Sequence, residues 1–273
     1  MLEQLLSQIQ QAKKDHIKLF LCGVEHKRLH TFVSLGQIVS TLMPDIILFE
    51  GYTPECTYKQ GIALGSFQKE LKDIHSQKRK LRDQPCLADV APQIDPYTIL
   101  VKGVDSSPSR HTFLERKYNL NTQRVLKIFQ TLYTRTDELI YLTPKKLSVP
   151  AYKRMELLSN RLYDEQRGYY TGDINVVGGC YNSLSIILDA FQDLHVFFAD
   201  VLSQFTQLRH DFHGYDTERD TDIFSNLRRE YDGHRTLLLC IGGHHIEDSP
   251  LLRLLEEHTI PYFKFITYQQ PLC

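Results

Sequence analysis

The chain has no tryptophan, no Cys-x-x-Cys pair, no run of about 18 uncharged apolar residues and a net charge of only −1. Each absence closes off a class. Without a long apolar run no membrane span is expected. With 32 basic against 33 acidic residues, no overall field points to nucleic acid or to an acidic membrane surface. The opening MLEQLLSQIQQAKKDH carries charge and glutamine where a signal peptide needs a clean apolar stretch, and reads as an amphipathic helix. A cytoplasmic location is therefore expected; a specialised secretion route would need no such peptide either. The six cysteines, at 22, 56, 86, 180, 240 and 273, are scattered, which suits reduced thiols better than a disulfide framework. No Pro/Gly/Ser linker or low-complexity stretch divides the chain.

What is present is enough for a large core. A chain of 273 residues buries about three quarters of its unfolded surface, and 15 Tyr with 14 Phe supply much of the filling. The N-terminal part alternates: helix near 2–14, strand 17–22, helix near 31–42, strand 45–49, a charged helix near 60–82, strand 98–104. The C-terminal part repeats the logic with helix 217–231, strand 235–241, helix 250–257 and a last strand near 260–267. Short continuous apolar strands between helices predict an α/β fold with a central, mostly parallel sheet covered on both faces. Residues 106–214 carry apolar side chains at three-to-four spacing and read as a helical insertion or lid within one α/β domain spanning 1–273.

In open parallel sheets, ligands bind beyond the carboxyl ends of the strands. Strand 17–22 ends in GVEH (23–26), strand 45–49 at Glu50, strand 98–104 at Asp105, and strand 235–241 in GGHH (242–245). Four strands thus deliver ionisable residues to one sheet edge, with glycines giving tight turns and close backbone approach. For each residue a plainer reading stands beside this one. Either histidine alone suits a hydrogen-bonded loop, Glu50 a solvated strand end, and Asp105 a cap for the helix after Ser-Ser-Pro-Ser. Two Gly-x-x-His arrangements at matching strand ends favour the functional reading.

Other stretches say less. His26 and His30 share a metal-pair spacing, but the glycine just before them argues against helical geometry at His26. GDINVVGG (172–179) has the glycine of a phosphate loop without its lysine, and reads as a turn. KELKDIHSQKRKLRD (69–83) lacks aromatics and reads as a solvated helix face. TERDTDIFSNLRREY (217–231) is more informative. Thr217 and Asp220 fit a capping box, yet Ile223, Phe224 and Leu227 define an inward stripe with Arg219 and Asp220 at its top. Buried charges need partners, which a site at that level would supply.

Taken in order, GVEH (23–26), IILFE (46–50), GVD (103–105), ERDTDIFSNLRRE (218–230) and IGGHHI (241–246) resemble the TraB/PrgY and Tiki proteins. Erythromycin-esterase and ChaN-like proteins are more distant relatives of that superfamily. The resemblance covers about 100 residues at the two ends of the chain. It departs from the pattern at His244, where glycine is usual, and at the extra acid Glu25. It implies an α/β core of two related halves whose Gly-x-x-His motifs meet in one cleft. Tiki-like members are divalent-metal proteases, erythromycin-esterase-like members use histidine as a base without metal, and ChaN-like members bind haem or iron.

The leading expectation is a metal-dependent hydrolase, peptidase- or esterase-like, acting on a small-molecule or peptide substrate. His26, Glu50 and His245 would bind one divalent ion, with Asp105 or Glu25 as a further ligand. An N/O donor set suits Mn, Co, Fe or Zn, and the ion would activate water and polarise a carbonyl. Glu25 would shuttle a proton, Arg219 would hold a substrate carboxylate or an oxyanion, and Asp220 would orient it; His244 completes the catalytic candidates. The alternatives are a metal-free hydrolase or transferase with His26 or His245 as general base, and a non-catalytic haem- or partner-binding protein.

Overall fold

The computed structural model describes residues 2–24, 29–75, 94, 98–142, 147–170, 177–247 and 249–266; for 29–34, 71–75, 166–170, 177–179 and 244 it describes the backbone alone. The chain divides into two compact units, one of residues 1–111 with 216–273 and one of residues 112–215.

The first unit is an α/β fold built on a seven-stranded sheet. Its strands are β1 (Leu19–Val24), β2 (Ile46–Phe49), β3 (Thr57–Lys59), β4 (Ile62–Leu64), β5 (Leu100–Gly103), β6 (Leu237–Gly242) and β7 (Tyr262–Ile266), in the order β4-β3-β5-β2-β6-β1-β7. The five strands from β5 to β7 run parallel, while β3 is antiparallel to both neighbours. β1 and β6 are buried at every position, because both faces of the sheet are covered. Phe20, Cys22, Ile47, Phe49, Val101, Leu238 and Cys240 share a core with Ile9 of α1 (Leu2–Lys14), Leu35 and Ile38 of α2 (Leu29–Leu42), and Phe67. The alternate set, Leu19, Leu21, Ile46, Leu48, Leu237, Leu239 and Ile241, packs against Ile223, Phe224, Leu227, Leu251 and Leu255. Period-two side-chain alternation thus turns one apolar run into two cores.

The second unit is helical. Helices Thr122–Asp137, Val149–Tyr170 and Val177–Ala190, with a π turn at Glu138–Leu142 and a 3-10 turn at Gln192–Phe197, enclose their own core around Phe129, Leu132, Leu158, Leu184 and Phe205. Helix Pro108–Lys117 begins in the first unit and ends in the second, and the 32-residue helix Ala199–Glu230 returns the chain to the sheet.

Three expectations change. The charged helix begins at Ser66 rather than near 60, because Thr57–Leu64 forms a hairpin turned by Gln60 and Gly61, both at positive φ. Residues 76–83 of the basic stretch and 172–176 of the glycine-rich stretch lie outside the described residues, and 177–179 open a helix. Thr217 and Asp220 are not a capping box, since both lie deep inside Ala199–Glu230.

Candidate functional site

The strands that end at the same edge of the sheet bring Glu50, Asp105 and His245 together, and the helix Ala199–Glu230 sends Arg219 between them. Glu50 follows β2 directly. Its backbone N–H continues the ladder to the Cys240 carbonyl at 3.0 Å, so its side chain starts beside the end of β6. One carboxylate oxygen accepts from the Gly242 N–H and the other from Arg219 Nη2. Asp105 follows β5, and its carboxylate collects donors: Gly51 N–H at 3.0 Å, Ser106 N–H at 2.7 Å and His111 Nε2 at 3.2 Å. Arg219 meets the same carboxylate as a two-pronged fork, Nε to Oδ1 at 3.2 Å and Nη2 to Oδ2 at 2.6 Å. That is the bidentate geometry a planar guanidinium favours. Asp105 is therefore not a helix cap. Ser107 caps the next helix, its hydroxyl accepting the Arg110 N–H at 3.2 Å.

His245 stands in a short helix, His244–Glu247, that follows β6. Its Nδ1 is 2.6 Å from Asp220 Oδ1, and the other oxygen of Asp220 accepts the Leu251 N–H at the start of helix Pro250–Glu257, at 3.1 Å. Asp220 thus fixes the imidazole and also satisfies a free donor at a helix N-terminus. On the far side of the ring, Nε2 lies 3.3 Å from Arg219 Nη1 and 3.5 Å from Glu50 Oε1. The side chains of Asp220, His245 and Asp105 are 0, 1 and 4 % exposed, whereas Arg219 keeps 14 % and His111 25 %. Solvent therefore meets this cluster at the arginine and at His111.

Burial alone would neutralise such groups; their partners reverse it. Desolvation pushes the Glu50 carboxyl up, but Arg219, His245 and the Gly242 N–H outweigh it and hold the group well below the usual carboxylate range. Asp105 is likewise held down, against burial, by His111 and Arg219. Burial pushes His245 down, while Glu50 and Asp220 raise it to about 10. That direction favours the doubly protonated ring, in which Nε2 would donate towards Glu50 rather than accept from Arg219.

The glycines act differently from expectation. Gly23 lies within β1, not in a turn, and a Cβ there would sit 2.5 Å from Cδ1 of Ile246, the residue after His245. It makes room for the short helix that carries the imidazole. Gly51, at φ 83°, is the turn glycine, and its N–H is aimed at Asp105.

Of the sequence candidates, the structure joins Glu50, Asp105, Arg219, Asp220 and His245. Glu25 and His26 lie outside the described residues, as do the side chains of His30 and His244. The strand ends that precede the two histidine motifs are paired, Val24 opposite Gly242. Arg219 is not open to clamp a substrate carboxylate, because its fork is committed to Asp105 and Glu50. The expected metal ligand His26 lies outside the described residues. Among the described residues no group of three or more His, Cys, Asp or Glu is arranged to hold a metal, and a cation between Glu50 and Asp105 would have to displace the guanidinium that already bridges them.

A row of side chains that sequence reasoning did not single out supports this arrangement. Glu218, Asp222, Asn226 and Glu230 recur every four residues along one side of the helix. In order they meet Arg110, Ser106 together with Arg110, the Val104 carbonyl, and Lys102. Each rung ties the helix to β5 or to the segment after it, which fixes its rotation and so the direction of Arg219 and Asp220. The period of four was visible in the sequence, but its partners were not. Compared with protein-family models, with curated proteins and with solved structures, the chain matches none.

Proposed function

We propose that the protein is a peptidase- or esterase-like hydrolase that works by acid–base chemistry of its own side chains, with His245 as the proton donor to the leaving group. One observation carries this: a buried imidazole is pinned by Asp220 through Nδ1 while its Nε2 faces Glu50 Oε1 at 3.5 Å and Arg219 Nη1 at 3.3 Å. Asp220 holds the ring in one orientation and stabilises its charge, as the acid does in a histidine–carboxylate pair. As the carbon–oxygen or carbon–nitrogen bond of the substrate breaks, the Nε2 proton moves to the departing atom. Arg219, fixed by the Asp105 fork, keeps a positive charge beside that event, where negative charge develops. With Asp105 and Glu50 already on its guanidinium, Arg219 is committed within the site rather than offered to an anionic substrate group. Of the described residues, none forms a helix long and apolar enough to cross a membrane.

General acid catalysis typically contributes about 10²–10⁴-fold, and it matters most for poor leaving groups. His245→Gln should therefore slow hydrolysis of an ethyl ester or alkyl amide by about that range. The p-nitrophenyl ester of the same acid, whose leaving group needs no proton, should lose far less. Activity should survive EDTA. Loss of activity in EDTA with recovery on adding Mn, Co, Fe or Zn would support the metal-dependent reading through His26 instead. No turnover of any ester or amide in such a panel would end the hydrolase reading.

A further inference from the structure

An acid needs a base, and the carboxylates tied to Arg219 are poor ones, since both are held well below the usual range. Among the described residues one further carboxyl faces the site. Asp216 is three residues before Arg219 and four before Asp220 in Ala199–Glu230, one helical turn and about 6 Å earlier along the axis. Its spacing continues the inward stripe of Asp220, Ile223 and Leu227. Among the described residues this half-buried side chain has no hydrogen-bond or ion-pair partner. Among the described residues the other carboxylates of the cluster are anchored: Glu50 by Gly242, Asp105 by Gly51 and Ser106, Asp220 by Leu251. An unanchored carboxyl beside an anchored cluster is free to bond to something else.

We infer that Asp216 is the base of the site, the carboxylate that takes a proton from the attacking water. This rests on the acid–base reading above. The water oxygen bonds to the acyl carbon as its proton passes to Asp216. The bond to the leaving group then breaks, its electron pair going to the departing atom, which receives the Nε2 proton of His245. Asp216 ends protonated and His245 neutral, and exchange with solvent restores both. Among the described residues the charges that face Asp216 are His245 from the short helix after β6, Arg219 and Asp220 from its own helix, and Glu50 from the end of β2. Burial raises its pKa, and the negative charges of Asp220 and Glu50 add to that against the opposing pull of His245 and Arg219. This moves it from the acidic range towards working pH, where a base is most effective.

The test is the pH dependence of kcat/KM on p-nitrophenyl acetate for the full chain and two variants. Wild type should show an acid limb above the ordinary aspartate range. Asp216→Asn should remove that limb and lower the plateau by about 10²-fold or more, and Asp216→Glu should restore the limb with part of the rate. A purely structural role predicts a weaker fold, whereas relief of a half-buried, partnerless charge predicts that Asp216→Asn raises the urea midpoint at pH 8. Wild-type turnover with an unchanged profile in Asp216→Asn would overturn the assignment and leave the hydrolase reading standing. A lowered urea midpoint would also overturn it. A wild-type chain that turns over no ester or amide would remove the hydrolase reading and this assignment together.

Discussion

Arg219 is the hinge of the charge balance. Its guanidinium separates two carboxylates that are nearly out of solvent, and it helps hold each below the usual range, beside His245 and the Gly242 N–H for Glu50 and His111 for Asp105. Arg219→Gln would leave Glu50 and Asp105 facing each other, and stripping one partner from a buried pair costs about 3–5 kcal/mol. The loss should be large at pH 7 and shrink towards pH 5, as one carboxyl takes up a proton instead; Arg219→Lys should cost less, losing the fork but keeping the charge. Urea unfolding at the two pH values checks this, and a Gln variant within about 0.5 kcal/mol of wild type at pH 7, as for an ordinary surface change, would refute it. The members of this cluster were legible from sequence because each follows a short apolar strand or tops an apolar stripe. Their pairing was not. That Asp220 meets Nδ1 of His245, while Arg219 meets Asp105, depends on how far one helix is rotated about its axis, and its spacing alone leaves that rotation open. Asp216 was missed for a local reason: Gly214 and the Thr217-Glu-Arg-Asp run imitate a helix start. Gly214 in fact lies inside the helix, and a Cβ there would meet the Tyr118 ring 2.4 Å away.

At the scale of elements, the site depends on how the chain leaves each strand. Gly103 ends β5 two residues before Asp105, and a Cβ there would lie 2.2 Å from the Thr53 carbonyl oxygen and 2.3 Å from that of Tyr52. These are backbone atoms held in place: Tyr52 O accepts from Asp105 N–H at 2.9 Å, Thr53 O from Cys56 N–H at 2.9 Å, and Cys56 O from Gly103 N–H at 3.0 Å. Gly103→Ala must move the segment that follows Glu50. Overpacking of this kind costs about 1–3 kcal/mol, and activity should fall further than stability because Gly51 would no longer aim its N–H at Asp105. Gly23→Ala should be milder in stability, since its Cβ would meet the end of a side chain, Ile246, which can turn aside. Thermal melts beside turnover separate the two, and equal losses in both variants would contradict this ranking. The parallel strands were legible as continuous apolar runs, and Ser249-Pro250 marked its helix start: Ser249 caps Pro250–Glu257, accepting the Leu252 N–H. The β3–β4 hairpin was not legible, because three-residue strands carry too little periodicity to stand out from the charged helix beside them.

At the scale of the whole molecule, the buried charges set how stability varies with pH. Glu50 and Asp105 have folded pKa values below their unfolded ones, so the stability they contribute is present above about pH 4 and is lost as pH falls further. His245 has the opposite sign. Its folded value of about 10 lies above the unfolded imidazole, so its contribution is full below about pH 6.5 and drains away between there and pH 10. Because the ring is 1 % exposed, solvent screening does little to soften this. Each pH unit in that window removes up to about 1.4 kcal/mol, a total of several kcal/mol, with the His245–Glu50 attraction counted once for the pair. The stability curve should therefore peak near pH 5–6.5 and slope downward through the alkaline range. Urea unfolding at pH 6, 8 and 10 measures the slope in wild type and in His245→Gln. The variant should be weaker at pH 6 and nearly flat from 6 to 10, so that the two curves converge at the alkaline end. Parallel curves would mean that His245 is not charged in the folded protein, and the proton donor of the proposed reaction would have to be another group.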